Sequence, residues 1–192
     1  MTYFIGVVPP PEVAARIDVL RARFPGRLVE RIEPHITLVA PLEVLNLDLW
    51  VSALERVAAS THPFCLQLGS PDYFDRRVLF LSVQTGSPEL SELRARLYNV
   101  TQTGGQDTSS VPELRDAERA YHPHLTLAMP SFGTPAALFP AIHNEAAALA
   151  ADTSAFVVAS VRLYRKRGSR WSPEQDLAFS TLPEETGCAP AH

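Results

Sequence analysis

The chain has 192 residues and a mass of 21.1 kDa, and its 46% hydrophobic and 20% charged residues suit a globular protein able to bury a core, as one large domain or two closely packed lobes. A formal net charge of −4 and a pI near 5.9 exclude a general nucleic-acid coating protein, because broad phosphate-backbone binding needs excess Lys and Arg; a local basic patch is still compatible. The two cysteines, Cys65 and Cys188, make neither a disulfide framework nor zinc-site spacing, which favours a reducing cytoplasm, and no apolar run is long enough to span a membrane.

Thr2 to Val8 is rich in aromatic and β-branched residues and predicts a buried strand; it lacks a basic leader and is cut short by Pro9-Pro10-Pro11, so it reads as a strand and not a signal peptide. The prolines open a helix with Glu12 in its first turn and Val13, Ile17, Leu20 and Phe24 at helical spacing, stopped by Pro25-Gly26. A strand ending at Pro41 follows, then a helix over Leu47 to Ala59 with Trp50, Leu54 and Val57 on one stripe. Phe64 to Leu68 alternates as a strand, and a turn-rich interval, Gly69 to Arg77, leads to a further strand, Val78 to Val83. Ser87-Pro88 opens a helix carrying Leu90, Leu93, Leu97 and Val100. Thr101 to Ser110 is polar and aperiodic and reads as a mobile loop. After another strand, Thr134-Pro135 opens an alanine-rich helix to about Ala151; Phe156 to Tyr164 and Asp176 to Leu182 read as strands, and Pro183 to His192 as a frayed tail.

Pro34-His35-Ile36-Thr37-Leu38-Val39-Ala40-Pro41 recurs as Pro123-His124-Leu125-Thr126-Leu127-Ala128-Met129-Pro130. In an extended segment His35 and Thr37 share one face and Ile36 and Leu38 the other, so each copy presents an imidazole and a hydroxyl backed by an apolar anchor. Both halves of the chain run strand, helix, His-Thr strand, helix, strand. That agreement predicts an α+β fold, internally duplicated and bilobal over residues 1–182, in which two mostly antiparallel sheets flanked by helices enclose a groove carrying the two motifs.

A pair of imidazoles suits phosphodiester chemistry near neutral pH, one ring accepting a proton and the other donating one across an in-line displacement. Hydroxyls of Thr37 and Thr126, two positions from each His, would meet charge developing on the non-bridging oxygens. A strained cyclic phosphate with a ribose oxygen as leaving group requires no metal. His122-x-His124 could be half a zinc site, but no third ligand stands at telling spacing, so His122 is read as a groove-edge residue and no metal or cofactor is expected.

With the opening strand Tyr3-Phe4-Ile5-Gly6-Val7 and Pro9-Pro10, the two His-x-Thr motifs resemble the two-histidine (2H) phosphoesterase superfamily, and within it bacterial RNA 2′,3′-cyclic phosphodiesterases, also called 2′-5′ RNA ligases. The resemblance implies an acid and base pair at His35 and His124 and phosphate-binding hydroxyls at Thr37 and Thr126. It implies opening of a 2′,3′-cyclic phosphate to a 2′-phosphate, with reversible 2′-5′ ligation as a side activity. The flanks, Arg31-Ile32-Glu33 and Ala40-Pro41-Leu42, depart from the aromatic-glycine ending associated with the RNA ligases.

The expected partner is an RNA end or a small cyclic nucleotide, with the protein a monomer needing no protein partner. Two other readings stay open: a non-catalytic binder of phosphorylated nucleotides or RNA ends, and a phosphodiesterase on a small nucleotide such as an ADP-ribose cyclic phosphate or a 2′-5′ oligoadenylate. Arg162, Arg165, Lys166, Arg167 and Arg170 form the basic cluster best suited to attract an RNA end. Tyr3, Tyr121 and Trp171 could stack a base or pack in the core, and His62 and His143 read as structural or solvent-facing.

Overall fold

Thr2–Val7 forms a strand, β1, whose residues from Tyr3 to Val7 are all buried, which is why its apolar run is continuous and not alternating. The computed structural model describes residues 1–103, 121–180 and Cys188. Within them β1 is followed by α1 (Pro11–Ala22), α2 (Leu28–Arg31), β2 (Ile36–Glu43), α3 (Leu47–Ala59), β3 (Phe64–Phe74), β4 (Val78–Thr85), α4 (Ser87–Thr103), β5 (His124–Ala128), α5 (Phe139–Ala151), β6 (Phe156–Val158), β7 (Ser160–Arg167) and β8 (Arg170–Ala178).

All strand pairs are antiparallel, and their order is β6-β3-β4-β5-β2-β1-β7-β8. The two His-x-Thr strands are innermost and meet through one residue pair, Ile36 with Leu125. From that joint outward each lobe has the same make-up: the motif strand, the opening strand of the same half (β1 or β4), then a strand that closes the other half (β7 or β3). The expected duplication is present, and the last strand of each half crosses to the opposite lobe. Helices cross as well: α3 and α4 pack on β8 and β2, whereas α1 and α5 pack on β5 and β3. Ile36, Leu38, Leu125 and Leu127 lie in one core with Trp50, Leu54, Leu97 and Ile142.

Several boundaries differ from the expectation. The turn-rich interval after Leu68 is strand: β3 continues to Phe74, with the register shifting between Leu68 and Pro71 where proline cannot donate to the ladder. It then turns into β4 through Asp75 and Arg76, both at positive φ (47° and 54°), a tight hairpin without the Asn-Gly or Asp-Gly pair that would have announced it. The expected strand Phe156 to Tyr164 breaks at Ala159 into β6 and β7, which pair with β3 and β1 in different lobes. The last strand starts at Arg170 because Gly168, at φ 61°, closes a hairpin from β7. The expected loop does not start at Thr101: α4 runs to Thr103, and buried Thr101 accepts a hydrogen bond from the Trp50 indole at 3.0 Å; residues 104–110 lie outside the described residues. No described helix is long and apolar enough to cross a membrane.

The cysteines are joined, against the expectation: Cys65 on β3 and Cys188 form a disulfide with a Cα–Cα distance of 5.6 Å. Neither sits near a second cysteine in sequence, so only the fold reveals the pair, and the cysteine argument for a reducing compartment falls. The rest of the expected tail lies outside the described residues. A disulfide spanning 123 positions restricts the unfolded chain strongly. Reduction is expected to lower unfolding free energy by about 2–4 kcal/mol, read as a lower denaturation midpoint with dithiothreitol than without, and by no change in a Cys65→Ser/Cys188→Ser double variant.

Candidate functional site

The register of the innermost pair decides the site. With Ile36 opposite Leu125, continuing the antiparallel count sets His35 across from Thr126 and Thr37 across from His124. Ile36, Leu38, Leu125 and Leu127 are at most 2% exposed and face the helices. The two histidines and two threonines, all half-buried, therefore occupy the other face, as the alternation predicts. By register count each histidine corresponds to the threonine of the other motif, although the strands pair at Ile36 and Leu125 alone.

Both rings are held alike. His35 Nδ1 lies 2.9 Å from the Glu33 carbonyl and His124 Nδ1 lies 2.8 Å from the His122 carbonyl, in each case two residues back. A carbonyl only accepts, so Nδ1 carries the hydrogen and each neutral ring leaves Nε2 unprotonated. Aromatic side chains fix the ring planes: Phe4 and Tyr164 at centroid distances of 5.0 and 5.9 Å from His35, Phe74 and Phe80 at 4.8 and 5.1 Å from His124. These come from the strands flanking each motif, β1 and β7 on one side, β4 and β3 on the other.

His35, Thr37 and Thr126 line a cavity of about 150 Å³ with Phe4, Arg21 and Trp171. His124 is not among the residues that line it, but it is close enough to His35 that a charge on either ring disfavours a charge on the other. A larger cavity of about 670 Å³, bounded by Arg16, Leu20, Arg23 and Glu145, includes none of the motif residues. We assign the site to the smaller one, since cavity size without convergent polar groups does no chemistry.

Burial is the largest influence on both imidazoles. It lowers His35 to about 4, assisted by the positive charges of Arg21 and His124 and opposed by the Glu33 carbonyl and carboxylate. It lowers His124 as well, with His122 adding to the effect and the His122 carbonyl opposing it.

The position two before each histidine breaks the symmetry. Glu33 Oε1 accepts from Arg162 Nη1 at 2.9 Å and from the Tyr164 hydroxyl at 2.7 Å, and Arg162 grips Asp176 through two bonds of 2.6 and 2.7 Å. Burial and the Glu33 carboxylate push the Tyr164 phenol upward, and hydrogen bonding to Arg162 lowers Asp176. Arg162, nominated for an RNA end, is thus engaged in holding the residue that orients His35. Arg165 and Arg167 reach Glu174 at 3.5 and 3.0 Å, and Lys166 lies 6.0 Å above Trp171, so of the basic cluster Arg170 and Lys166 have no carboxylate partner among the described residues.

The aromatic candidates separate. Tyr3 is core, edge-on to Trp50 at 6.2 Å; the Tyr121 hydroxyl donates to the Thr37 carbonyl at 2.8 Å; Trp171 lines the cavity. His122 is exposed against Phe74 and Phe80, at the groove edge. His143 stacks on Tyr73 at 5.5 Å, and His62 Nδ1 is 3.0 Å from the Ser180 hydroxyl. Among the described residues no group of three or more His, Cys, Asp and Glu side chains is placed to hold a metal ion.

Arg21 was missed, and a signal for it existed. It follows Val13, Ile17 and Leu20 on the buried stripe of α1, a cation where the pattern calls for an apolar residue. Its side chain is 2% exposed, and Nη2 donates to the Thr126 carbonyl.

A family model described as the 2′-5′ RNA ligase superfamily matches residues 9–170. No curated protein matches the sequence. Among solved structures, TT0787 of Thermus thermophilus superposes with a TM-score of 0.65 at 19% identity, covering 93% of this chain and 98% of its own. Escherichia coli LigT in apo form gives 0.60 at 20%, covering 94% and 99%, and LigT complexed with 3′-AMP gives 0.57 at 19%, covering 93% and 98%. At these identities the likeness shows the fold.

Because the folded His35 titrates below its unfolded value of about 6.5, the unfolded chain binds more protons between that value and about 4. Stability is therefore expected to be full above pH 6.5 and to decline as the pH falls toward 4. Denaturant titrations should show a shallower decline in His35→Asn, which keeps an N–H for the Glu33 carbonyl but does not titrate.

Proposed function

The chain belongs to the 2′-5′ RNA ligase superfamily, and from that premise we propose that it is a metal-independent cyclic phosphodiesterase opening 2′,3′-cyclic phosphates at RNA ends or on nucleosides to 2′-phosphates. The observation that carries this reading is the matched pair of rings: each is held through Nδ1 by the carbonyl two residues back, which leaves Nε2 unprotonated, and each begins or precedes a motif strand that pairs with the other at Ile36 and Leu125.

One imidazole takes a proton from water as its oxygen bonds to phosphorus; the other, protonated, gives a proton to the ribose 3′ oxygen as the P–O bond breaks. The proton lost by water and the proton gained by the leaving oxygen pass through different rings, so the pair returns to its starting state after one proton exchange with solvent. Thr37 and Thr126 hydroxyls donate to the non-bridging oxygens, where charge accumulates. With a 5′ hydroxyl in place of water as the nucleophile, the same steps join it to phosphorus as the 3′ oxygen leaves and so give 2′-5′ ligation; their reverse cleaves the linkage. In the free protein both rings are neutral at pH 7, and an incoming phosphodiester anion offsets the cost of one buried imidazolium. The 3′-AMP bound by LigT supports a nucleotide in this groove, and it favours as a second reading a small cyclic nucleotide as the natural substrate.

EDTA-treated protein is incubated with a short RNA ending in a 2′,3′-cyclic phosphate, and the terminal phosphate of the product is mapped. A 2′-phosphate is expected, with His35→Ala and His124→Ala each lowering kcat by about 10²–10⁴ and Thr37→Val or Thr126→Val by about 10²–10³. Full activity in either histidine variant would overturn the reading; turnover of cyclic mononucleotides but not RNA would select the small substrate.

Turnover needs one charged and one neutral imidazole, and in the free protein both titrate below their usual value, so that the singly protonated pair is scarce at pH 7. The optimum of kcat/KM is accordingly expected below pH 6.5, with roughly a tenfold loss per pH unit on the alkaline side, as the imidazolium is titrated away.

A further inference from the structure

β2 and β5 share one residue pair and then part, which leaves backbone groups on the parting edges to be satisfied by something other than a strand. Side chains do this reciprocally. Tyr121, preceding β5, donates its hydroxyl to the Thr37 carbonyl of β2 at 2.8 Å, and Arg21, from α1, donates Nη2 to the Thr126 carbonyl of β5. Arg21 Nη1 also donates to the Ile32 carbonyl at 3.5 Å, three residues before His35. One guanidinium therefore bonds to the second motif and to the segment that leads into the first, spanning the joint that a single strand pair leaves open. Its planar fork is what permits two carbonyls to be held in a fixed relation.

The charge of Arg21 is only partly compensated. Asp18, 3.3 Å from Nη1, is its one carboxylate partner among the described residues, and Nε is the one buried side-chain nitrogen or oxygen there without a hydrogen bond. The residue lines the same cavity as His35, Thr37 and Thr126, on a chain of net charge −4.

We propose that Arg21 is the positioning residue of the two-histidine site, fixing the spacing of His35 and His124 through both motif segments and holding at the cavity wall the buried positive charge that a substrate phosphate meets. The inference rests on the phosphodiester reading above. The groups that face His35 are Glu33 from its own segment, Tyr164 from β7, Arg21 from α1 and His124 from β5. Among them Arg21 is the one permanent cation, so its removal shifts the His35 titration upward while a lysine in its place does not.

Wild type, Arg21→Lys and Arg21→Met are compared in turnover of the cyclic-phosphate RNA and in NMR titration of His35. Arg21→Met is expected to raise KM at least tenfold, lower kcat by about 10²-fold through loss of ring spacing, and move the His35 midpoint upward. Arg21→Lys is expected to keep KM and the midpoint near wild type and still lose kcat, because a compact ammonium does not reproduce the fork. Lower melting temperatures with unchanged kcat, KM and midpoint in the folded fraction would overturn the inference and leave a purely structural residue. If Arg21→Met does not fold, the KM and kcat split in Arg21→Lys decides. A wild type that turns over no cyclic phosphate fails the functional reading instead; the His35 midpoints of the three proteins then decide alone, equal values overturning the inference.

Discussion

Two strands that pair at one residue and then separate are the constraint on which the rest of the structure depends. Ile36 and Leu125 are at most 1% exposed, and their pairing fixes the register in which His35 corresponds to Thr126 and Thr37 to His124. A slip of one residue would turn both motifs toward the helices and bury the imidazoles in the apolar core. A longer ladder would close the groove. The site thus exists because pairing is sufficient to fix register and too short to zip the lobes together, and the exposed carbonyls this leaves at Thr37 and Thr126 are met by Tyr121 and Arg21.

The exchange of closing strands makes that geometry rigid. β7 returns to pair with β1 and β3 with β4, so neither lobe is completed by its own half of the chain. α1 likewise leaves its half to pack on β5, which is how Arg21 reaches the second motif. A hinge between sequential halves would let the two rings drift. Here each lobe is sewn to the other by covalent crossings, and one core includes residues of both. The aromatic supports of the two imidazoles follow from the same arrangement, since beyond each motif strand lie an opening strand and then an exchanged strand.

Within this near-symmetry the electrostatics are unequal. Glu33, anchored by Arg162 and Tyr164, stands behind His35, whereas the matching position behind His124 is the exposed His122. Arg21 and Glu33 act on His35 in opposite directions, and burial outweighs both. On the proposed reading, an oxyanion entering the cavity would meet the desolvated Arg21 cation and the depressed His35 imidazole and would favour the charged form of the ring. Recruitment of charge by the substrate suits a site on an acidic chain, whose basic residues near β7 and β8 are largely occupied by Glu33, Asp176 and Glu174.

What the sequence by itself determined was whatever depends on local periodicity and on repetition. The alternation in Pro34 to Pro41 and Pro123 to Pro130 set His and Thr on one face and the aliphatics on the other, and the stripes of Trp50, Leu54, Val57 and of Leu90, Leu93, Leu97 gave α3 and α4, because these follow from the pitch of strand and helix. The repeated order of elements gave the duplication. Tertiary structure alone decided which strand completes which lobe, since pairing partners far apart in sequence leave no periodic trace; the split of one apolar run at Ala159 between two lobes is the plainest instance. It also decided the continuation of β3 past Pro71, the union of Cys65 with Cys188, the diversion of Arg162 from solvent to Glu33, and the placement of Arg21 between the motifs. The first of these is a local hairpin hidden by its unusual turn residues; the others are contacts between residues brought together by chain crossings, and no local pattern encodes a meeting across so many residues.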